Sequence, residues 1–148
     1  MMIKSILVAT DASPVANRAL DLAIDMAVRY EAGLEIVHVI RDLQIPASLR
    51  DMAQVMNMAN ARGDVMMFVA EQVLSDARER AKAGGVREVA THVGKGDPAG
   101  AVIAQARRRK SDLIVIGTRG LSTTEGMLLG SVSRKVANLS RTNCLIVR

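Results

Sequence analysis

The segment Asp112-Leu-Ile-Val-Ile-Gly-Thr-Arg-Gly-Leu-Ser-Thr-Thr-Glu-Gly-Met-Leu-Leu-Gly-Ser-Val-Ser133 decides the fold. Leu113 to Ile116 is a short, branched apolar run bounded by Asp112 and Gly117, the pattern of a buried strand. Gly117 and Gly120 frame a G-x-x-G turn. Nine residues separate Gly120 from Gly130, and Gly130-Ser131 opens a segment in which Val132, Val136 and Leu139 recur at helical spacing. Glycine at a strand end lets the backbone turn sharply and approach a ligand. Glycine ahead of a helix leaves the first N–H groups unpaired and turned toward an anion. Ser131 and Ser133 add hydroxyls on the same side. Strand, G-x-x-G, nine residues, G-S and helix together describe a phosphate cradle of backbone amides with no lysine in it.

Working outward, short apolar runs alternate with helical patterns. Ile3 to Ala9 reads as the first strand. Ser13-Pro14 then supplies a helix cap and a first-turn proline, and Val15, Ala19, Leu22, Ala23 and Met26 recur at helical spacing through Tyr30, with Gly33 as the stop. Leu34 to Ile40 is the second strand. A long helical segment from about Ser48 to Ala83, entered through Pro46, carries Met52, Ala53, Met56, Ala59, Val65, Phe68, Val69 and Val73 toward Ala77 and Ala81. Gly63-Asp64 either kinks it or divides it in two. Its methionines, Met52, Met56, Met58, Met66 and Met67, read mainly as adaptable core packing, with a partner surface as the alternative. Val86 to Val93 is the third strand, Asp97 to Arg109 the third helix, Ser131 to Leu139 the fourth, and Cys144 to Val147 the fifth strand. This order predicts an α/β fold: an open, doubly wound parallel sheet with helices on both faces, built as one domain over residues 1–148. Such sheets take ligands outside the carboxyl ends of their strands. The loops Thr10-Asp11-Ala12-Ser13 and Gly117-Thr118-Arg119-Gly120 both stand there.

Composition narrows the function. The chain has 148 residues, 49% hydrophobic and 24% charged, with one cysteine. These values fit a globular cytoplasmic protein without disulfides. No apolar run approaches the ~20 residues of a membrane span, and Met1 to Ser5 lacks the apolar stretch of a signal peptide. The net charge of +5 raises nucleic acid, but its densest run, Arg107-Arg108-Arg109-Lys110, ends a helix, where cations complement the macrodipole. Only 1% of residues are aromatic, which removes the stacking platforms of single-strand binders. No nucleic acid and no membrane partner is expected. His38 and His92 stand alone in strands and read as structural; no set of protein ligands for a metal is visible. Gly94-Lys95-Gly96-Asp97-Pro98-Ala99 satisfies G-x-G-x-x-[GA], but Pro98 removes one N–H from that would-be cradle. No G-x-x-x-x-G-K-[ST] exists.

The strand-glycine-helix pattern of residues 113–133, together with Ile6-Leu-Val-Ala-Thr-Asp-Ala-Ser13, His38-Val39 and Cys144-Leu-Ile-Val-Arg148, resembles the ATP-binding signature of the universal stress protein family, and the resemblance runs the whole length. It implies the sheet order 3-2-1-4-5 of the adenine-nucleotide alpha-hydrolase-like, Rossmann-like group, which makes the strands ending at Ala9 and Ile116 neighbours. It implies ATP, with Mg²⁺, in the crevice between them. Nucleotide contacts would come from Ala9, Thr10 and Asp11, from the backbone of Val39 and Ile40 at the adenine edge, from Gly117, Thr118, Arg119 and Gly120, and from Gly130, Ser131, Val132 and Ser133. Asp11 either meets the ribose or a phosphate-bound Mg²⁺, or caps the helix at Pro14; the resemblance favours ligand contact. Arg119 faces either solvent or the terminal phosphates. The resemblance further implies a homodimer joined through the terminal strand, an apolar edge that invites pairing.

No catalytic residues are assigned. A dedicated ATPase orients the attacking water and holds strong charge on the leaving phosphates, and Asp11 and Arg119 supply these poorly. The expectation is a nucleotide-responsive stress protein with slow or no hydrolysis. The alternatives are a same-fold enzyme, an ATPase or an adenylyl-transferring or flavoprotein-like protein, and a dimeric stress protein that binds no ATP. The inducing stress and the protein client are not legible in the chain.

Overall fold

The computed structural model describes residues 2–119 and 129–148. The elements are β1 (Ser5–Ala9), α1 (Pro14–Tyr30), β2 (Gly33–Ile40), a 3-10 turn (Ala47–Leu49), α2 (Ala53–Ala83), β3 (Val89–Lys95), α3 (Pro98–Arg109), β4 (Leu113–Gly117), α4 (Ser131–Leu139) and β5 (Asn143–Val147). The five strands form one parallel sheet in the order β3-β2-β1-β4-β5. The expected fold class and strand order are thus observed. Successive residues of β1 point to opposite faces. Ile6 and Val8 enter one core with α1 and α2, whereas Leu7 enters a second core with α3 and α4.

Local signals act where they were expected, with small shifts. Ser13 is the N-cap of α1, its Oγ accepting from Ala16 N at 3.2 Å, and Pro14 is the first helical residue. That helix ends at Glu31, which is left-handed (φ 52°), so Gly33 opens β2 instead of stopping the helix. The basic run at the end of α3 folds back onto the protein. Glu35, buried on β2, accepts from Gln105 Nε2 at 2.7 Å and pairs with Arg109 at 3.4 Å. Arg108 Nη2 lies 3.3 Å from His92 Nε2 and also bonds Gln105. Burial, then the neighbouring Arg108 charge, lowers the pKa of His92. Cys144 packs against the second core.

α2 departs most from expectation. It starts at Ala53, not near Ser48, because residues 41–52 hold only the short 3-10 turn. Gly63 does not divide it: the helix is one element of 31 residues, ~46 Å long at ~1.5 Å per residue. Its buried residues are Ala70, Leu74, Ala77 and Ala81. Of its methionines, Met52, Met56 and Met58 are exposed, as are Val65, Phe68 and Val69, whereas Met66 and Met67 are half-buried. The cause is reach. The sheet is shorter than the helix, so the first four to five turns run past it and hold no fully buried residue.

A Cβ added at Gly63 would meet no atom within 4 Å. Glycine inside a helix costs about 0.5–1 kcal/mol relative to alanine. Gly63→Ala is therefore expected to raise the thermal midpoint by about 2–4 °C, read by circular dichroism. An unchanged or lower midpoint would contradict an unobstructed helical Gly63.

Candidate functional site

A cavity of about 300 Å³ opens at the carboxyl edge of the sheet. It lies at the switch point between β1 and β4, where the chain leaves the sheet in opposite directions and a cleft is left uncovered. From β1 it takes Ala9, Thr10 and Asp11; from β2, residues 37–41; from β4, Ile116 to Arg119; from the start of α4, Gly130 to Ser133. The described site residues named from sequence thus line one cavity, and Gly120 lies outside the described residues.

The β1 loop is built by short polar side chains. Thr10 Oγ1 accepts from Ala12 N at 3.1 Å, and Asp11 Oδ1 accepts from Ser13 N at 2.9 Å. Ala12 is left-handed (φ 63°). Asp11 therefore folds the turn ahead of the helix, while Ser13 does the capping. The His38 ring ties β2 to this loop, with Nδ1 2.9 Å from the Thr10 carbonyl. Thr10 N bonds Val37 O at 2.9 Å, and Gly96 N bonds Ile40 O at 2.9 Å. Peptide groups alternate sides along a strand, so Val39 turns its N–H and C=O toward the gap beyond β1. The Ile40 carbonyl is engaged by Gly96 on the other side.

The two glycines act differently from the sequence argument. Neither Gly117 nor Gly130 has a positive φ. A Cβ on Gly117 would stand 2.7 Å from Val15 Cγ1 and 3.3 Å from the Val15 carbonyl carbon, so glycine here lets β4 pass under the start of α1. A Cβ on Gly130 would stand 3.1 Å from the Thr118 carbonyl oxygen. That carbonyl accepts from Gly130 N at 2.6 Å and from Ser133 Oγ at 2.9 Å. Ser133, only 2% exposed, turns its hydroxyl proton into the protein. Ser131 remains exposed at the first helical position.

The helix start and the charged side chains set the electrostatics of the cavity. Four N–H groups at a helix start lack intrahelical partners. On α1 and α3 a side chain takes one: Ser13 bonds Ala16 N, and Asp97 bonds Gly100 N at 2.9 Å. That contact, foremost, holds the Asp97 carboxyl below its ordinary pKa. A carboxylate thus already occupies the N-terminus that the Gly94–Ala99 motif offered. α4 has no side-chain cap, and its first turn lines the cavity. Arg41, Arg62 and Arg119 line it too, against one acid, Asp11, among the described lining residues. None of the three arginines makes an ion pair or hydrogen bond among the described residues. No group of three or more metal-ligating side chains stands together among them. Arg41, Arg62, Met66 and Pro98 were not foreseen at the site. Arg62 and Met66 come from the overhanging part of α2, far in sequence from any motif.

These features define an open, doubly wound α/β protein with an arginine-lined crevice at its topological switch point. The universal stress protein family model matches residues 2–148. The chain is 36% identical over 150 residues to the universal stress protein YxiE of Bacillus subtilis, covering 99% of this chain and 100% of that one. It superposes on the universal stress protein UspA of Lactobacillus plantarum with a TM-score of 0.89 at 21% identity, covering 100% and 99% of the two chains. It superposes on a universal stress protein solved in complex with cAMP with a TM-score of 0.72 at 32% identity, covering 100% and 98%. The chain belongs to the universal stress protein family.

Gly117→Ala forces a methyl group into the start of α1, and overpacking of this kind costs about 1–3 kcal/mol. The urea midpoint is expected to fall accordingly. An unchanged midpoint would show that Gly117 is not set by this contact.

Proposed function

We propose that this protein is a single-domain, ATP-binding universal stress protein, a homodimer whose nucleotide state tunes an interaction and which hydrolyses ATP slowly or not at all. The observation that carries the reading is the uncapped N-terminus of α4 in a cavity that also holds three arginines. A ligand with several negative charges satisfies both. The family member in complex with cAMP, 32% identical, supports an adenine nucleotide. The phosphates would meet the N–H groups of Ser131, Val132 and Ser133, with Arg119 beside them; the Val39 peptide would pair with the base edge. Asp11 would hold the ribose. Mg²⁺ would ride on the phosphates, since Asp11 is the one carboxylate among the described lining residues. With a single carboxylate among those residues, the site lacks the paired groups that orient water and hold the leaving phosphates in a dedicated ATPase, which supports slow turnover.

Ser131→Pro tests the cradle cleanly. Proline is favoured at a first helical position, where its missing N–H breaks no helical bond, and Gly130 (φ −70°, ψ 170°) has the extended backbone that a following proline requires. ATP affinity by calorimetry is expected to fall about tenfold or more, the worth of one charge-assisted hydrogen bond, with the thermal midpoint nearly kept. Equal affinity in the two proteins, or no binding by the wild type, would reject the assignment. Phosphate release is expected below ~1 s⁻¹, the low end of enzyme turnover.

The dimer would form through β5, an edge strand whose Cys144 to Val147 are half-buried. Val147 O accepts from Thr118 N at 2.8 Å, so by alternation Ile146 turns its N–H to the open edge. Leu139, on the helix packed beside β5, is 68% exposed. Ile146→Pro removes that outward donor and is expected to shift the protein to monomer in light scattering. A monomeric wild type at micromolar concentration, or an unchanged dimer in the variant, would reject this interface.

A further inference from the structure

The cavity has a wall that no motif announces. From Ala53 to Val69, α2 contributes no fully buried residue, yet Arg62 and Met66 line the cavity. They are four residues apart and so share one helix face. Apolar side chains of other elements, Val39, Pro98 and Val102, line the same cavity. No Phe, Tyr or Trp lines it among the described residues. The one ring present, His38, is tied to the Thr10 carbonyl. The α4 amides and Arg119 stand at the β4 end, across β1 from β2. A ligand with its phosphates on those amides therefore carries its other end toward β2 and α2.

We propose that Arg62 and Met66 of α2 clamp the base of the bound nucleotide, in place of the aromatic residues the cavity lacks, so that the ligand holds down the overhanging half of α2. The proposal rests on the nucleotide reading of the site. The chemistry suits a flat, polarisable ring. A guanidinium is planar and stacks on π-systems, and a thioether makes favourable contacts with ring faces and edges. Arg62 has no ion pair or hydrogen bond among the described residues that it would have to give up. This half of α2 is also lightly anchored, with no fully buried side chain and with Gly63 directly beside Arg62. Weakly packed helical turns open at little cost, and a ligand contact there adds to the little that holds them.

The test uses the full-length protein and three probes: ATP, adenosine and inorganic tripolyphosphate. Arg62→Gln, Arg62→Lys and Met66→Ala all keep good helix formers at partly exposed positions. Each is expected to weaken ATP and adenosine by about three- to tenfold, the range of cation–π and sulfur–aromatic contacts, and to leave tripolyphosphate competition unchanged. Lysine is expected to fail as glutamine does, because it keeps the charge and loses the plane. In wild type, ATP is expected to slow hydrogen exchange across residues 58–69 as well as at 130–133, and the double variant Arg62→Gln/Met66→Ala is expected to lose the first effect only. Unchanged ATP affinity in the variants, or protection at 130–133 without any at 58–69, overturns the clamp and leaves the site reading standing. Equal loss of tripolyphosphate, or rescue by lysine, reassigns Arg62 to the phosphates and also overturns it. No ATP binding by the wild type overturns the site reading and the clamp together.

Discussion

The Thr118 carbonyl is the point on which the crevice depends. It receives Gly130 N at 2.6 Å and Ser133 Oγ at 2.9 Å, while Thr118 N is held by Val147 O at 2.8 Å. One nearly buried residue, Thr118, thus fastens the start of α4 to the end of β4 and to the edge strand β5. A buried carbonyl left unpaired costs about 1–3 kcal/mol, so these donors are required as well as favourable. Their effect is to aim the first turn of α4 into the cavity with no side-chain cap among the described residues.

That bareness separates α4 from α1 and α3. Ser13 and Asp97 cap α1 and α3, and each cap consumes a backbone donor. Asp97 also brings a negative charge, joined by an ion pair to Lys135 at 3.3 Å. The anion-binding capacity of a helix start is therefore cancelled at α3 and kept at α4. Glycine at position 130 serves the same end: it admits the Thr118 carbonyl and offers no side chain of its own. Serine at 133 carries a hydroxyl that bonds inward, to the loop.

α2 shows a different division of labour. Its last four turns are anchored by Ala70, Leu74, Ala77 and Ala81, small residues that let the helix lie close on the sheet. Its first turns leave the sheet behind and expose Val65, Phe68 and Val69 to solvent. Amphipathic spacing persists there, but it buries no residue fully. The inner face, with Arg62 and Met66, meets the crevice.

Much of this was legible in the sequence. Short apolar runs and period-3.6 patterns, bounded by Ser13-Pro14, Asp97-Pro98 and Gly130-Ser131, give the βα alternation and with it a parallel sheet, because parallel strands need crossover helices. The strand order came from the resemblance carried by residues 6–13 and 113–133. Spacing also brought Thr10, Asp11, Gly117 and Gly130 together as candidates. The roles of the glycines were not legible. A sequence marks a glycine but not the neighbour that requires it, and Val15 lies over a hundred residues from Gly117. Nor could periodicity say that Met52 to Val69 is uncovered, since an apolar stripe looks the same whether or not anything lies opposite. Arg62 and Met66 at the crevice follow only from the length of α2 relative to the sheet and the direction in which it overshoots. Local patterning determined the elements and their order; long-range packing decided which backbone donors stay free and which distant side chains stand beside them, because those are properties of contacts between segments and not of any segment alone.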